Sequence, residues 1–408
     1  MQDTHVSRET SPSIPVKHSM HITSKLPSVG TTIFTTMSQL ALDYQAINLG
    51  QGFPDFNPDP ALLQLVTDAM AQGHNQYPAM AGVPALRAAI AEKVQALYGR
   101  RYNPESEVTV TSGATEALMS SIQALTQAGD EVIVLEPCYD AYIPAITLAG
   151  AKPVVVPMTP PNQDAAHYAI DWNRVQAAIT PATRAMVLNF PHNPTGILCT
   201  ENDLDALERI TQNTDIILIS DEVYEHIVLH GQQHLSLARR ASLAARSVVI
   251  SSFGKTYHAT GWKIGYCCAP AMLMREIRKV HQFMVFTVPS PMQVALAEFM
   301  QRQDAYLNLS TFYQEKYDLL HHGLATTRFR PLESAGSFFL IADYSQISTL
   351  PETEFAHWLT REHKVTTIPM SAFYQDPEAP QSNHRLVRFC FAKENQTLKD
   401  AIARLRQV

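Results

Sequence analysis

Six short runs of apolar and β-branched residues, at 108–111, 131–135, 154–156, 185–190, 215–219 and 247–250, alternate along the chain with segments of helical periodicity. Runs of three to six residues are strand-length. Strands that alternate with helices pair in parallel through helical crossovers, so the pattern predicts an α/β fold with a mostly parallel sheet. Between the first two runs, Gly113-Ala114-Thr115-Glu116-Ala117-Leu118 opens a helix whose apolar face continues through Ile122 and Leu125, with Gly129 as its C-terminal glycine. The polar residues are placed regularly. Ser112, Pro137-Cys138-Tyr139, Asn193, Asp221 and Lys255 all follow a run, at or just beyond its carboxyl end, where open α/β sheets bind ligands.

A chain of 408 residues, 46% hydrophobic and 17% charged, can bury a large core, and its length suits two domains. A formal net charge of −7 supplies no basic excess for nucleic acid or an anionic membrane surface, so neither is expected as a partner. Five cysteines (Cys138, Cys199, Cys267, Cys268 and Cys390) form no C-x-x-C pair and fit neither a disulfide framework nor a zinc site; no metal and a reducing cytoplasm are expected. No stretch reaches the roughly 18 apolar residues of a membrane span. Residues 1–22 are polar and read as a disordered extension without a signal-peptide core. Beyond Pro289-Ser290-Pro291 the pattern changes to long helices, apolar segments at 336–341 and 386–391, and a last helix over 396–405. This predicts a smaller α+β domain after a boundary near residue 290.

Gly254-Lys255-Thr256 has the end of a P-loop but not its start, because Val249 stands where the first glycine is needed; no G-x-G-x-x-G follows the first strand either. Lys255 suits a different role. At a buried strand end with Lys263 eight residues on, its amine would lose part of its ordinary affinity for a proton and could attack a carbonyl. Asp221, leaving an apolar strand, needs a cationic partner such as a protonated pyridine nitrogen, although an isolated aspartate here reads equally as a helix N-cap. Ser112-Gly113-Ala114-Thr115 opens a helix with free N–H groups that suit a phosphate, with Ser252 and Lys263 on its other side. Asn193-Pro194 is a candidate cis peptide, with Asn193 and Tyr224 placed to reach a ring oxygen. An amine, an acid, an amide, a phenol and a phosphate cradle describe a pyridoxal-phosphate pocket.

The motifs at 48–56 (Asn-Leu-Gly-Gln-Gly-Phe-Pro-Asp-Phe), 193–196 (Asn-Pro-Thr-Gly), 220–224 (Ser-Asp-Glu-Val-Tyr) and 254–266 (Gly-Lys-Thr-x5-Gly-Trp-Lys-x-Gly-Tyr) are jointly specific. From about Ser24 to the C-terminus the chain resembles the class I aminotransferases of fold type I, which use pyridoxal phosphate. It looks most like their kynurenine/glutamine-phenylpyruvate branch and the bacterial methionine aminotransferases, through 24–27, 30–34 and 251–258. The resemblance implies a three-layer αβα fold with an N-terminal segment of the small domain (23–48), a large cofactor domain (49–290) and a small C-terminal domain (291–408).

It further implies that Lys255 forms the Schiff base, that Asp221 pairs with the pyridine nitrogen, and that Tyr224 and Asn193 meet the ring oxygen. Ser112, Gly113, Ala114, Thr115, Ser252 and Lys263 would hold the phosphate; Tyr139 would stack on the ring. Tyr77 would reach the phosphate of the neighbouring subunit, which implies a homodimer with shared sites. Arg388 would bind the substrate α-carboxylate, helped by Gly50 and Asn193, while Phe34 and the partner-facing Phe286 would shape the side-chain pocket. No match exists for a second arginine of the kind that binds dicarboxylic side chains. The expected activity is ping-pong transfer of the α-amino group from methionine or another large neutral amino acid to a 2-oxo acid. A carbon–sulfur β-lyase uses the same lysine, aspartate and arginine and is the alternative reaction; a sensor domain without activity is the non-enzymatic one.

Overall fold

The computed structural model describes residues 22–161 and 166–408. Each of the six predicted runs forms a strand: β1 (Val108–Thr111), β2 (Glu131–Glu136), β3 (Lys152–Pro157), β4 (Thr183–Asn189), β5 (Ile217–Asp221) and β6 (Ser247–Ser252). A seventh, β7 (Gly265–Cys268), completes a sheet of order β1-β7-β6-β5-β4-β2-β3. The strands are parallel except β7, which runs antiparallel to both neighbours. β7 carries no turn-delimited apolar run of its own in sequence, and it lies between β1 and β6 only because the chain folds back after Lys263.

Strand periodicity sends alternate residues to opposite faces. Ile133, Leu135, Met186, Leu188 and Leu218 pack on one side with Leu204, Leu207 and Ile210 of the helix Glu201–Thr211. Val132, Val134, Val187, Ile219, Val248 and Ile250 pack on the other with Ala117, Leu118, Ile122 and Leu125 of α1 (Gly113–Leu125) and with Leu273, Met274 and Ile277 of Ala271–Met284. This is a mixed α/β fold with helices on both faces of a mostly parallel sheet. α1 stops earlier than expected. Thr126 is extended and its hydroxyl donates to the Ile122 carbonyl at 2.7 Å, so Gly129 (φ 97°) sits in the turn before β2 instead of capping the helix.

Beyond residue 290 the helices Ser290–Phe299 and Leu309–Ala325 lead into a four-stranded antiparallel sheet built on β8 (Phe339–Asp343) and β9 (Leu386–Cys390). Ile341 pairs with Arg388, which puts the arginine mid-strand, flanked by Ile368 on its other side. The N-terminal segment joins this part: Ile47–Asn48 pairs with Val365–Thr366, and the Cys390 N–H donates to the Leu49 carbonyl at 2.6 Å. The expectation of disorder for 1–22 falls almost wholly on residues 1–21, which lie outside the described residues.

Candidate active site

Three neighbouring strand ends and the turns after them supply the chemistry. At the end of β5, Asp221 is buried and accepts from the Tyr142 hydroxyl at 2.7 Å and, more weakly, from the Val223 N–H at 3.3 Å. Burial pushes its carboxyl up to about 6, against the pull of those two donors and of the Lys255 charge. A cationic N–H partner would relieve that penalty. Asn189, the last residue of β4, braces the neighbouring turns: its amide donates to the Asp221 carbonyl and its oxygen accepts from the Asn193 N–H, both at 2.8 Å. Asn193-Pro194 is cis, as are Glu136-Pro137 and Phe190-Pro191.

Lys255, in the short helical turn Phe253–Thr256 after β6, is half-buried and donates to the Gly52 carbonyl at 2.9 Å. Its Nζ lies over the Phe338 and Tyr224 rings, 5.1 and 5.6 Å from their centroids. Burial brings the amine down to about 8, helped by the positive charges of Arg388 and Lys263. That makes a substantial neutral fraction available near physiological pH.

The phosphate cradle depends on close approach. Lys263 has a left-handed backbone (φ 55°) that carries Nζ back over the start of α1, 3.5 Å from the Thr115 hydroxyl. Gly113 (φ 69°) lies beneath it, and a Cβ there would stand 3.3 Å from the Lys263 Cε and Nζ. Gly265 is constrained harder, because a Cβ would sit 2.8 Å from the Ala114 nitrogen and the Ser251 oxygen. Ser112 does not line the pocket, and its N–H is taken by Glu116 at 3.0 Å; Gly113, Ala114 and Thr115 do line it.

Arg388 is fully buried, with its guanidinium stacked 3.6 Å from the Phe339 centroid and 4.6 and 5.6 Å from those of Phe373 and Phe34. It donates to the Asn193 side-chain oxygen and, at 3.2 Å, to the Gly50 carbonyl, while Nε has no partner among the described residues. Burial lowers it to about 10, so it stays charged at neutral pH. A buried guanidinium with an unpaired N–H calls for an anion.

One pocket thus gathers Phe34, Gly113, Ala114, Thr115, Tyr139, Asn193, Asp221, Tyr224, Ser252, Lys255, Lys263 and Arg388. Gly50 touches it through Arg388. Tyr77 and Phe286 are elsewhere on this chain, packed edge to face on each other at 5.5 Å, with Tyr77 83% exposed. Sequence reasoning missed Tyr142, Asn189 and Asp140, which also line the pocket. Tyr142 stands three residues after Tyr139, a spacing that returns it to the same side of the turn. Asn189 was hidden as the last polar residue of an apolar run. The whole set fits pyridoxal phosphate: a buried carboxylate for the ring nitrogen, a phenol and an amide for the ring oxygen, a helix start with a cation for the phosphate, and an amine between them.

The sequence model of the family Aminotransferase class I and II matches residues 44–405. The chain is 48% identical to the methionine aminotransferase of Escherichia coli over 386 residues, 94% of this chain and 98% of that one. A crystal structure of an Escherichia coli protein with a methionine aminotransferase function superimposes with a TM-score of 0.91, covering 96% of this chain and all of the other. The N-succinyldiaminopimelate aminotransferase of Mycobacterium tuberculosis, 40% identical, gives 0.90 over 95% of this chain and 100% of its own. Human kynurenine–oxoglutarate transaminase 1 is 34% identical over 90% of this chain and 94% of its own.

Proposed function

The chain belongs to the class I and II aminotransferases, which use pyridoxal phosphate, and from that premise we propose that it takes the α-amino group of methionine or another large neutral L-amino acid and delivers it to a 2-oxo acid. The observation that carries the substrate reading is the buried Arg388. It is the pocket's one arginine, held among three aromatic rings, with an N–H still free among the described residues.

When bound, the cofactor supplies the electron sink that lets an amino acid lose its α-proton. The chain supplies the rest. Gly113, Ala114, Thr115, Ser252 and Lys263 would hold the phosphate, Asp221 the ring nitrogen, and Tyr224 with Asn193 the ring oxygen. Tyr139 would cover the ring face. Tyr142 orients the Asp221 carboxylate through its hydroxyl. Arg388 would grip the substrate carboxylate with a fork whose angle is set by Asn193 and Gly50. Lys255 Nζ would hold the cofactor and, as the amine beside the substrate, would serve as the base that takes up the α-proton. Phe34, Phe339 and Phe373 exclude water around the guanidinium and favour an apolar substrate side chain.

The described residues contain no helix long and apolar enough to cross a membrane. All five cysteines are free and buried, which suits a cytoplasmic enzyme. The protein would act as a homodimer, with Tyr77 and Phe286 completing the partner's site. In one chain Phe283 (86% exposed), Met272 (65%) and Tyr77 (83%) are large apolar side chains open to solvent, available to a partner. The division at 49–290 and 291–408 follows the change from the parallel sheet to the antiparallel one.

The test is a visible absorption spectrum of the cofactor-loaded protein before and after L-methionine is added without an oxo acid. Conversion to the pyridoxamine form, reversed by a 2-oxo acid and absent in Lys255→Ala, is expected. No response to methionine or to an aromatic amino acid overturns the substrate reading; pyruvate and ammonia released from cystathionine without an oxo acid would point to β-elimination instead.

A further inference from the structure

In the same first turn of α1 as Gly113, Ala114 and Thr115 stands a buried ion pair to which the site described above gives no task. Glu116 belongs to α1 and His281 to Ala271–Met284; both are buried, and His281 Nδ1 lies 2.9 Å from Glu116 Oε1. Nε2 of the same ring lies 3.0 Å from the Met80 carbonyl oxygen. A neutral imidazole carries one N–H and one bare nitrogen. Here both nitrogens face acceptors, so only the imidazolium, with two N–H groups, satisfies both. The carboxylate is as fully committed: Oε2 accepts from the Ser112 N–H at 3.0 Å and Oε1 from the Ser120 hydroxyl at 2.5 Å. Burial by itself would loosen the imidazole's hold on its proton. The hydrogen bond and charge of Glu116, with the Met80 carbonyl, outweigh burial and the opposing Arg278 charge on the same helix, and raise the group above its usual value. Glu116 also acts on the Cys267 thiol of β7, which burial pushes up and keeps neutral. The ion pair is therefore complete below about pH 6.5 and is lost as pH rises through the raised value.

We propose that His281 and Glu116 are a positioning pair for the cofactor phosphate. Glu116 fixes the entry to α1 through the Ser112 N–H, and the imidazolium cancels a negative charge that would otherwise stand one residue from Thr115 and repel a phosphate there. The same ring fastens α1 to the segment that follows Tyr77, through the Met80 carbonyl. Neither side chain lines the pocket, so both act through α1. This deepens the reading of the site above and rests on Gly113, Ala114 and Thr115 as the phosphate-binding positions.

The experiment measures the affinity of the cofactor-free protein for pyridoxamine phosphate, which cannot bond covalently to Lys255, by calorimetric titration near neutral pH. The wild type, His281→Gln, Glu116→Gln and the double variant are compared, with circular dichroism to check folding. His281→Gln leaves the Glu116 charge uncovered and should bind about tenfold more weakly, the scale of one charge interaction inside a protein. Adding Glu116→Gln removes that charge and should recover most of the loss, which a merely structural role would not allow. A double variant as weak as His281→Gln overturns the proposal, as does a His281→Gln protein that binds as tightly as the wild type. If His281→Gln does not fold, nitrogen NMR of the histidine-labelled holoenzyme carries the test. The wild type should show a doubly protonated ring near neutral pH that Glu116→Gln removes, and spectra without that difference overturn the imidazolium and the proposal with it. A wild type that binds no pyridoxamine phosphate overturns the cofactor reading itself, which is a separate result.

Discussion

The amine of Lys255 shows how one residue's chemistry is set by what surrounds it. An aliphatic ammonium in water holds its proton to about pH 10.4, so hardly any is nucleophilic at neutral pH. Here burial lowers the group to about 8, and the charges of Arg388 and Lys263 push the same way. The sign gives a prediction. Because the neutral amine is the reactive form, covalent capture of added pyridoxal phosphate by the cofactor-free protein should speed up about tenfold per pH unit below 8 and level off above it. Stopped-flow absorbance measures this directly. A rate flat between pH 6 and 8, or one still climbing at pH 10, would show that Lys255 is not held in the state its surroundings dictate. Its identity was legible in sequence, from an apolar run ending in Gly-Lys-Thr with a second lysine downstream. Its hydrogen bond to Gly52 joins positions 203 residues apart, and no local pattern announces it.

Elements are tied to the site by a few buried polar contacts, and Glu352 is the clearest. It begins the helix Glu352–His363 and accepts from the N–H groups of Ser371, His384 and Leu386, the last two at 2.9 Å. One carboxylate therefore joins a helix start to the beginning of β9, two residues before Arg388. Glu352→Ala would leave three N–H groups, two of them on buried residues, without their acceptor and should cost about 2 to 3 kcal/mol. Urea unfolding reads this as a lower midpoint with unchanged slope, and KM for the amino acid should rise as β9 loosens. Glu352→Gln, which keeps one acceptor, should lose less. An alanine variant as stable as the wild type would remove Glu352 from this role. At this scale the sequence was partly legible. The six apolar runs became strands within two residues at every end, and all but β3, at the sheet's edge, are buried on both faces. β7 and the end of α1 were not foreseen, because an edge-to-edge pairing and a threonine hydroxyl closing a helix depend on neighbours distant in sequence.

At the scale of the whole molecule, the proposed homodimer would use the exposed Phe283 and Phe286, on Ala271–Met284 and the turn after it. The protein should sediment as a dimer at micromolar concentration. Phe283→Glu, which puts a charge on that surface, should shift it toward monomer and lower specific activity on dilution, because Tyr77 would no longer reach the partner's site. A wild type that is monomeric and fully active would overturn the shared site. Tyr77 and Phe286 illustrate why such residues resist a sequence reading: in one chain they merely touch each other, and their proposed meaning lies across an interface. The sequence by itself determined the fold class, the strand ends that bear the chemistry and the residue types of the cofactor pocket. It could do so because strand and helix periodicity and the polar residues that close each run are local properties. Only the tertiary structure decided which groups meet: Tyr142 with Asp221, Lys263 over Gly113, and Arg388 between Phe339 and Phe373. Those are matters of packing between segments far apart in the chain, where a difference of an ångström separates a bound charge from a stranded one.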